Sequence, residues 1–290
     1  MFNSTVLDVA VGLVFTFLAV SLAVSAITEG VASMLGWRSR TLLQGVKDLL
    51  NDQAFTGIAL HIYNHAMVAP RDAGMARKES DLKHLPAYIE PTHFADALID
   101  VVGITKDAPA ANIKSAIQQS VSDPQLQSLL KGVVDRAAGD VTQIRNQIGN
   151  WFDSSMDRVG GAYKRKTQVW SFFIALILAA GLNVSSVDVG KALWLQPLLA
   201  RTIAPTTPQL GPVEALQKLQ ELEVPIGWTQ AKVQNLATWN GLATVMGWLI
   251  TAVATLFGAP FWFDALERVV RLKGSGPSPA EKRADMGAAA

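Results

Sequence analysis

An uncharged apolar run near the start of the chain restricts its possible folds most strongly. Residues 9–27 (VAVGLVFTFLAVSLAVSAI) contain no charged side chain. A helix rises 1.5 Å per residue, so about 19 residues approach the roughly 30 Å hydrocarbon thickness of a bilayer. The preceding residues include Asp8 and no Lys or Arg, whereas a cleaved signal peptide begins with a basic segment. The run therefore predicts a retained transmembrane helix, which we place within residues 1–32.

Two later apolar segments have the same character and cover residues 169–187 and 236–263. Aromatic residues, which favour the interface between lipid and water, lie near their ends: Trp170, Trp239, Phe261, Trp262 and Phe263. The expected fold class is an all-α membrane protein with three transmembrane helices. Pro260 is expected to end or kink the third helix.

Basic residues close to the three segments predict an orientation, because Lys and Arg concentrate on the cytoplasmic side of membrane proteins. They follow the first segment, precede the second and follow the third: Arg38, Arg40, Lys164, Arg165, Lys166, Arg268, Arg271 and Lys273. This pattern predicts that the N-terminus is outside and the C-terminus is cytoplasmic.

The same orientation assigns the remaining segments. Residues 33–168 form a cytoplasmic helical domain inserted between the first two transmembrane helices. Residues 188–235 form a mostly irregular extracytoplasmic loop with one short helix near residues 212–222. Residues 264–290 form a cytoplasmic juxtamembrane helix and a disordered tail, which is rich in Gly, Pro, Ala and charge.

The predicted domain holds most of the ionisable groups: 16 of the 25 basic residues, 14 of the 24 acidic residues and all four histidines. The formal net charge of the chain is only +1, which disfavours a nucleic-acid partner because phosphate binding needs a surplus of basic residues. The chain has no cysteine, so thiol nucleophiles and cysteine-based metal sites are excluded. No cofactor is indicated.

Apolar periodicity predicts three helices in the first part of this domain, over residues 38–50, 58–68 and 94–102. Thr92 is the expected N-cap of the third of these helices. Residues 69–91 lack periodicity and contain Gly and Pro. We expect them to form a mobile or partner-engaging loop.

The second part of the domain is more regular. Asp123-Pro124 is expected to open a helix that stops near Gly139. From Val141, apolar residues recur every three or four positions and lead directly into the second transmembrane segment. Gly160-Gly161 is a weak point where this helix is able to bend.

Six short segments taken together carry a resemblance to a known group of proteins: LDVAVGL (7–13), PAYIEPTHF (86–94), WFD (151–153), MDRV (156–159), YKRKTQ (163–168) and FGAPFWFD (257–264). Together they resemble a widespread family of uncharacterised bacterial inner-membrane proteins with a soluble helical insert between the first two transmembrane helices. The resemblance implies a bacterial inner-membrane location and a matching topology. It implies nothing about catalysis.

His61 and His65 are the sharpest candidates for metal binding. Two histidines four residues apart on one helix can share a metal ion, with a third ligand from His84, His93 or Glu90. The sequence lacks the glutamate that follows the first histidine in metalloproteases. The alternative is that these histidines are ordinary surface or hydrogen-bonded side chains.

The third transmembrane segment carries small and polar residues on one helical face: Asn240, Thr244, Gly247, Thr251, Thr255 and Gly258. Such a stripe permits close helix packing and interhelical hydrogen bonds. It could instead line a hydrated path through the membrane. The sequence leaves both interpretations open.

These features give three functional hypotheses. The leading one is a non-enzymatic membrane scaffold or assembly subunit whose cytoplasmic domain binds a protein partner or self-associates as a homo-oligomer, with membrane lipid around its helices. The second is an oligomeric channel or export subunit whose third transmembrane helix lines the pore. The third is a membrane-bound metal-dependent hydrolase that uses His61 and His65.

Overall fold

The computed structural model describes residues 5–105, 108–195, 211–221, 224–236 and 238–274, and this part of the chain is helical without any β-strand. Its helices are α1 (Thr5–Met34), α2 (Trp37–Leu49), α3 (Ile58–Tyr63), α4 (Pro91–Val102), α5 (Ala110–Ser120), α6 (Pro124–Arg136), α7 (Val141–Gly181), α8 (Ser186–Leu195), α9 (Pro212–Glu221), α10 (Gln230–Asn235), α11 (Trp239–Thr255) and α12 (Ala259–Gly274). A 3₁₀ turn covers Glu79–Asp81.

The chain divides into two compact units. One is Ala32–Lys166, which we call the helical domain. The other comprises Met1–Val31 and Thr167–Ala290, and we call it the apolar unit. Helices α1 and α7 contribute residues to both units.

The core of the helical domain is built around the apolar stripe of α7. Ile144, Ile148 and Phe152 are each only 1% exposed. The ring of Phe152 stacks on Phe94 of α4, with 4.1 Å between the ring centroids. The periodicity that predicts this helix is therefore confirmed, because the spaced residues form its buried face.

Of the two helix starts predicted in this domain at Asp123 and Thr92, the first is confirmed and the second is wrong. Asp123 caps α6 as predicted, since its carboxylate accepts a hydrogen bond from the Leu126 N–H at 2.7 Å. The predicted N-cap at Thr92 is wrong, because α4 already begins at Pro91. The Thr92 hydroxyl donates to the Glu90 carboxylate at 2.7 Å instead.

The helix predicted over residues 58–68 is shorter than expected and ends at Tyr63. The next residue, Asn64, turns its side chain towards the following loop. Its amide donates to the Ala76 carbonyl at 2.8 Å and accepts from the Ala76 N–H at 2.9 Å. These two bonds anchor the segment over residues 69–91 to the domain. Helix α5 is not predicted from the sequence, because Ile113 and Ile117 are its only large apolar residues.

The apolar unit contains most of α1, a single helix that is long and apolar enough to cross a membrane. Two further candidates in the described chain are bent pairs, α7 with α8 at 50° and α11 with α12 at 98°. If each pair counts as one span, the described chain has up to three.

Both bends correct the predicted spans. The second segment, predicted over residues 169–187, is interrupted where α7 ends at Gly181 and α8 begins at Ser186. The third, predicted to reach residue 263, is interrupted after Thr255. A break close to Pro260 is confirmed, and it lies at Gly258, whose φ of 83° suits a residue without a side chain. No break occurs at the glycines of residues 160–161, since α7 is continuous there.

The connection over residues 188–235 is more helical than predicted. It contains the larger part of α8 together with α9 and α10, so the expectation of a mostly irregular loop is wrong for its described residues. The short helix expected near residues 212–222 is confirmed as α9. Residues 196–210 and 275–290, which include the predicted tail, lie outside the described residues.

Candidate functional site

The polar stripe of α11 packs against the break between α7 and α8. Thr251 has no exposed surface. Its hydroxyl shares one hydrogen between the Gly247 carbonyl of α11 at 2.8 Å and the Val184 carbonyl at 3.1 Å, and it accepts a hydrogen bond from the Ser186 N–H at 3.2 Å. The Ser186 hydroxyl donates to the Gly247 carbonyl at 3.0 Å. These bonds tie the backbone at the break to α11.

Gly247 allows the close approach on which these bonds depend. A Cβ atom at this position would lie 2.9 Å from the Cβ of Ser185 and 3.2 Å from its Cα. Carbon atoms without a bond between them normally stay about 3.5–4.0 Å apart. Any side chain at residue 247 would therefore separate α11 from the start of α8.

The other stripe residues lie as follows. The Thr244 hydroxyl donates to the Asp188 carboxylate at 3.1 Å. Thr255 is buried, and its hydroxyl donates to the Ala252 carbonyl at 2.7 Å. Gly258 lies in the break before α12. The side chain of Asn240 lies outside the described part of the chain.

Residues 227–228, which are distant in the sequence, and Trp248 of α11 complete the hydrogen bonding of the break. Asn183, only 1% exposed, adopts a φ of 48°; its amide donates to the Gly227 carbonyl at 3.0 Å. The Trp248 indole donates to the Asn183 side-chain oxygen at 3.1 Å. The Trp228 indole donates to the last α7 carbonyls, those of Ala180 at 3.1 Å and residue 181 at 3.0 Å. Helix ends leave carbonyls without intrahelical partners, and these donors supply partners for them.

Lys232 of α10 donates hydrogen bonds to the segment over residues 225–228. Its ammonium group donates to the Pro225 carbonyl at 2.8 Å and to the Gly227 carbonyl at 3.2 Å. Burial lowers the pKa of Lys232, while the negative charge of Asp188 acts in the opposite direction.

The helical domain contains an open groove of about 440 Å³ between α2, α6 and α7. Its lining is mainly apolar, with polar groups among it: Gly45, Asp48, Leu49, Asn51, Gln125, Leu126, Leu129, Trp151, Ser155, Met156, Arg158, Val159 and Ala162. Two of its lining residues, Gly45 and Val159, lie where α2 approaches α7 closely. There, a Cβ atom at Gly45 would lie 2.7 Å from a Val159 methyl carbon.

A buried hydroxyl in the same domain has no hydrogen-bond partner among the described residues. It belongs to Tyr63, which has no exposed surface. Burial raises the pKa of Tyr63, and the negative charge of Glu79 raises it further. Glu79 also accepts a salt bridge from Lys47 at 2.9 Å.

The two histidines proposed as metal ligands do not share a helix. His61 lies exposed on α3, whereas His65 follows the helix end and places its Nε2 at 3.2 Å from the Asp100 carboxylate. His84 pairs with Asp72. Among the residues that the structure describes, no three His, Asp or Glu side chains converge as metal ligands would.

The predicted juxtamembrane basic residues fall in two places. Arg38 and Arg40 on α2 and Lys164, Arg165 and Lys166 on α7 are all exposed in the helical domain. Arg268 and Arg271 are exposed on α12, where the Arg271 guanidinium pairs with Glu267. The side chain of Lys273 is not among the described ones. Because α12 departs from α11 by 98°, its basic residues do not extend a straight third span.

Comparison with protein-family models, curated proteins and solved structures gives no match. The structure by itself defines the class of protein: its described residues form helices and no β-strand, and at least one of these helices is able to span a membrane.

Sequence reasoning did not find the groove. Its lining comes from residues 45–51, 125–129 and 151–162, and the first of these segments lies more than 70 residues before the other two, so no local pattern indicates the groove. One usable signal was Trp151. This large aromatic residue lies beside the buried stripe of α7 and is itself only partly buried. The break after Gly181 also had a signal, since Gly and Asn favour turns within an apolar segment.

Proposed function

We propose that the protein is a non-enzymatic integral membrane protein whose helical domain binds a helix of another polypeptide chain. The groove between α2, α6 and α7 carries this proposal. Its half-buried apolar residues, including Leu49, Leu129 and Met156, offer a surface that an amphipathic helix can cover. Asp48 and Arg158, of opposite charge, provide polar contacts that can orient the bound helix.

The proposal places the helical domain on the cytoplasmic side of a bacterial inner membrane, with the N-terminus outside and the C-terminus cytoplasmic. The basic residues at 38–40 and 164–166 support this orientation, because both groups flank apolar segments. The three spans are α1 and the two bent pairs. The resemblance to bacterial inner-membrane proteins with a soluble insert supports the location.

The contacts of the stripe support its role in helix packing within the chain. Thr251 and Thr255 are buried and hydrogen-bonded to the protein backbone, and Gly247 touches the start of α8. A pore-lining face presents such groups to water instead. The channel hypothesis and the metal-dependent hydrolase hypothesis have no comparable supporting observation.

A photocrosslinking experiment on the full-length chain tests the docking proposal. A benzophenone amino acid at Leu129, inside the groove, should form one discrete adduct in the native membrane. The same probe at Ala111, exposed on α5 of the same domain, should not. A Leu49→Glu substitution should remove the adduct by placing a charge in the apolar lining.

The mass of the adduct identifies the kind of partner. The chain has a mass of 31.1 kDa, so an adduct of twice this mass shows that a second copy occupies the groove. Any other discrete mass shows a different protein. Equal labelling from Leu129 and Ala111, or no adduct from Leu129, contradicts the proposal.

A further inference from the structure

A second surface of the helical domain combines basic and aromatic side chains. The Arg38 guanidinium lies over the ring of Tyr163, 5.9 Å from its centroid. The Lys166 ammonium lies over the ring of Trp37, 5.6 Å from its centroid. These two cation–π contacts join the start of α2 to α7. The turn before α2 is formed by Gly36, whose φ of 60° suits glycine.

Three further basic residues lie within one helical turn of these contacts. We define the basic-aromatic patch by all seven residues: Trp37, Arg38, Arg40, Tyr163, Lys164, Arg165 and Lys166. The patch thus combines five cationic groups from two stretches that are more than 120 residues apart in the sequence.

The positive charge of the patch is not balanced by acidic residues nearby in the chain. The sequence contains no Asp or Glu over residues 30–47 or 158–187. Within the described ranges, no salt bridge includes any of the five basic side chains. All five are exposed. The patch is therefore suited to an anionic ligand.

Exposed apolar groups beside the patch distinguish between anionic ligands. Met34, the last residue of α1, is 81% exposed, and Leu35, in the turn that leads to Trp37, is 46% exposed. A nucleic acid or a free phosphate offers nothing to cover such side chains, whereas a lipid surface accepts apolar, aromatic and basic groups together. The patch also begins only three residues after the end of α1, which is able to cross a membrane.

We propose that the basic-aromatic patch binds the headgroups of anionic phospholipids. The proposal rests on α1 being a membrane span, and it is independent of the groove and its partner. The guanidinium and ammonium groups donate charge-assisted hydrogen bonds to headgroup phosphates, while the aromatic rings fix the two cations that they contact. Clusters of basic residues that directly follow a membrane span attract anionic lipid in this way.

Binding of phosphatidylglycerol and phosphatidylcholine to the full chain in neutral detergent tests this proposal. Native mass spectrometry gives the ratio of the two dissociation constants. Loss of one basic residue near an anionic surface weakens attraction about fivefold. The double variant Arg38→Gln with Lys166→Gln should therefore reduce the preference for phosphatidylglycerol about 25-fold. The preference of the original chain should also decrease at high salt, which screens charge.

Two matched variants test whether a loss of lipid preference comes from the patch itself, from the lower net charge or from misfolding. Arg77→Gln with Lys83→Gln removes two exposed charges from a loop of the same domain and should change the preference less than about twofold. Arg38→Lys with Lys166→Arg keeps both charges and should retain the preference for phosphatidylglycerol.

Three results would overturn the proposal. The first is an equal loss of preference in the patch variant and the loop variant. The second is equal affinity of the original chain for both lipids. The third is effective competition by glycerol phosphate without acyl chains, which would show a site for soluble phosphate compounds instead of lipid.

Discussion

A Gly247→Ala substitution should destabilise the apolar unit more than its small size suggests. The added Cβ would lie 2.9 Å from the Cβ of Ser185 and 3.2 Å from its Cα. Ser185 is 1% exposed, and its neighbours in the sequence bond to Thr251 through the Val184 carbonyl and the Ser186 N–H. The backbone at the break therefore cannot move away without losing those hydrogen bonds.

The expected cost follows from two opposing effects. Overpacking of a well-packed interior costs about 1–3 kcal/mol, and the fixed backbone at Ser185 places this site at the upper end. Ala is a better helix former than Gly by about 1 kcal/mol. The net loss in the free energy of unfolding is then about 2 kcal/mol, which corresponds to a decrease in Tm of roughly 4–8 °C.

Thermal unfolding of the full chain in detergent, followed by tryptophan fluorescence, measures this change. Gly160→Ala on α7 is the matched control, because no atom lies within 4 Å of the added Cβ. The control should be as stable as the original chain or slightly more stable. Adding Ser185→Gly to Gly247→Ala should restore part of the loss by removing the nearest side chain.

The result also separates the two interpretations of the stripe. If residue 247 faced a water-filled path, its added methyl group would meet solvent, and the variant would behave like Gly160→Ala. Equal unfolding temperatures for the two variants would therefore refute the packing geometry.

Three further changes in the helical domain have expected outcomes. Tyr63→Phe should be neutral or stabilising at pH 7, because it removes an unpaired buried hydroxyl. Since burial raises the pKa of Tyr63 in the folded state, ionisation in the unfolded chain should lower stability above about pH 10, by up to about 1.4 kcal/mol per pH unit. This loss should vanish in Tyr63→Phe and persist in Tyr88→Phe when unfolding in urea is compared between pH 8 and 11. Gly45→Ala should lower the urea midpoint, and Val159→Ala in the same chain should partly restore it. Asp52→Ala should cost about 1–2 kcal/mol in the same assay, because this carboxylate accepts hydrogen bonds from three backbone N–H groups at α3; an unchanged midpoint would contradict that role.

The features predicted correctly depend on residues close together in the sequence. The stripe of α7 repeats every three or four residues, so its buried face could be predicted from spacing alone. Asp123 and Pro124 form a local cap, because the Asp123 carboxylate accepts from the N–H of Leu126 only three residues later. The end of α3 depends instead on Asn64 bonding to Ala76 across a loop. A competing bond of this kind shortens a helix that periodicity would extend.

The breaks in the second and third spans illustrate a different limit. Hydropathy counts apolar residues and does not record the direction of the chain, so a bent pair and a straight helix give similar signals. At the first break, the donors and acceptors come from residues such as Gly227 and Trp248, more than 40 positions from Asn183. No local pattern indicates that these partners exist.

The break and the stripe of α11 depend on each other physically. An interrupted helix in an apolar environment leaves backbone groups that require partners within the protein. Thr251 and Gly247 provide such partners for the residues that begin α8. Turning α11 to direct its stripe towards a pore would leave these groups unpaired, at about 1–3 kcal/mol for each buried group. An open pore along this face would therefore require new hydrogen-bond partners at the break, from water or from another chain, whereas packing within one chain requires none.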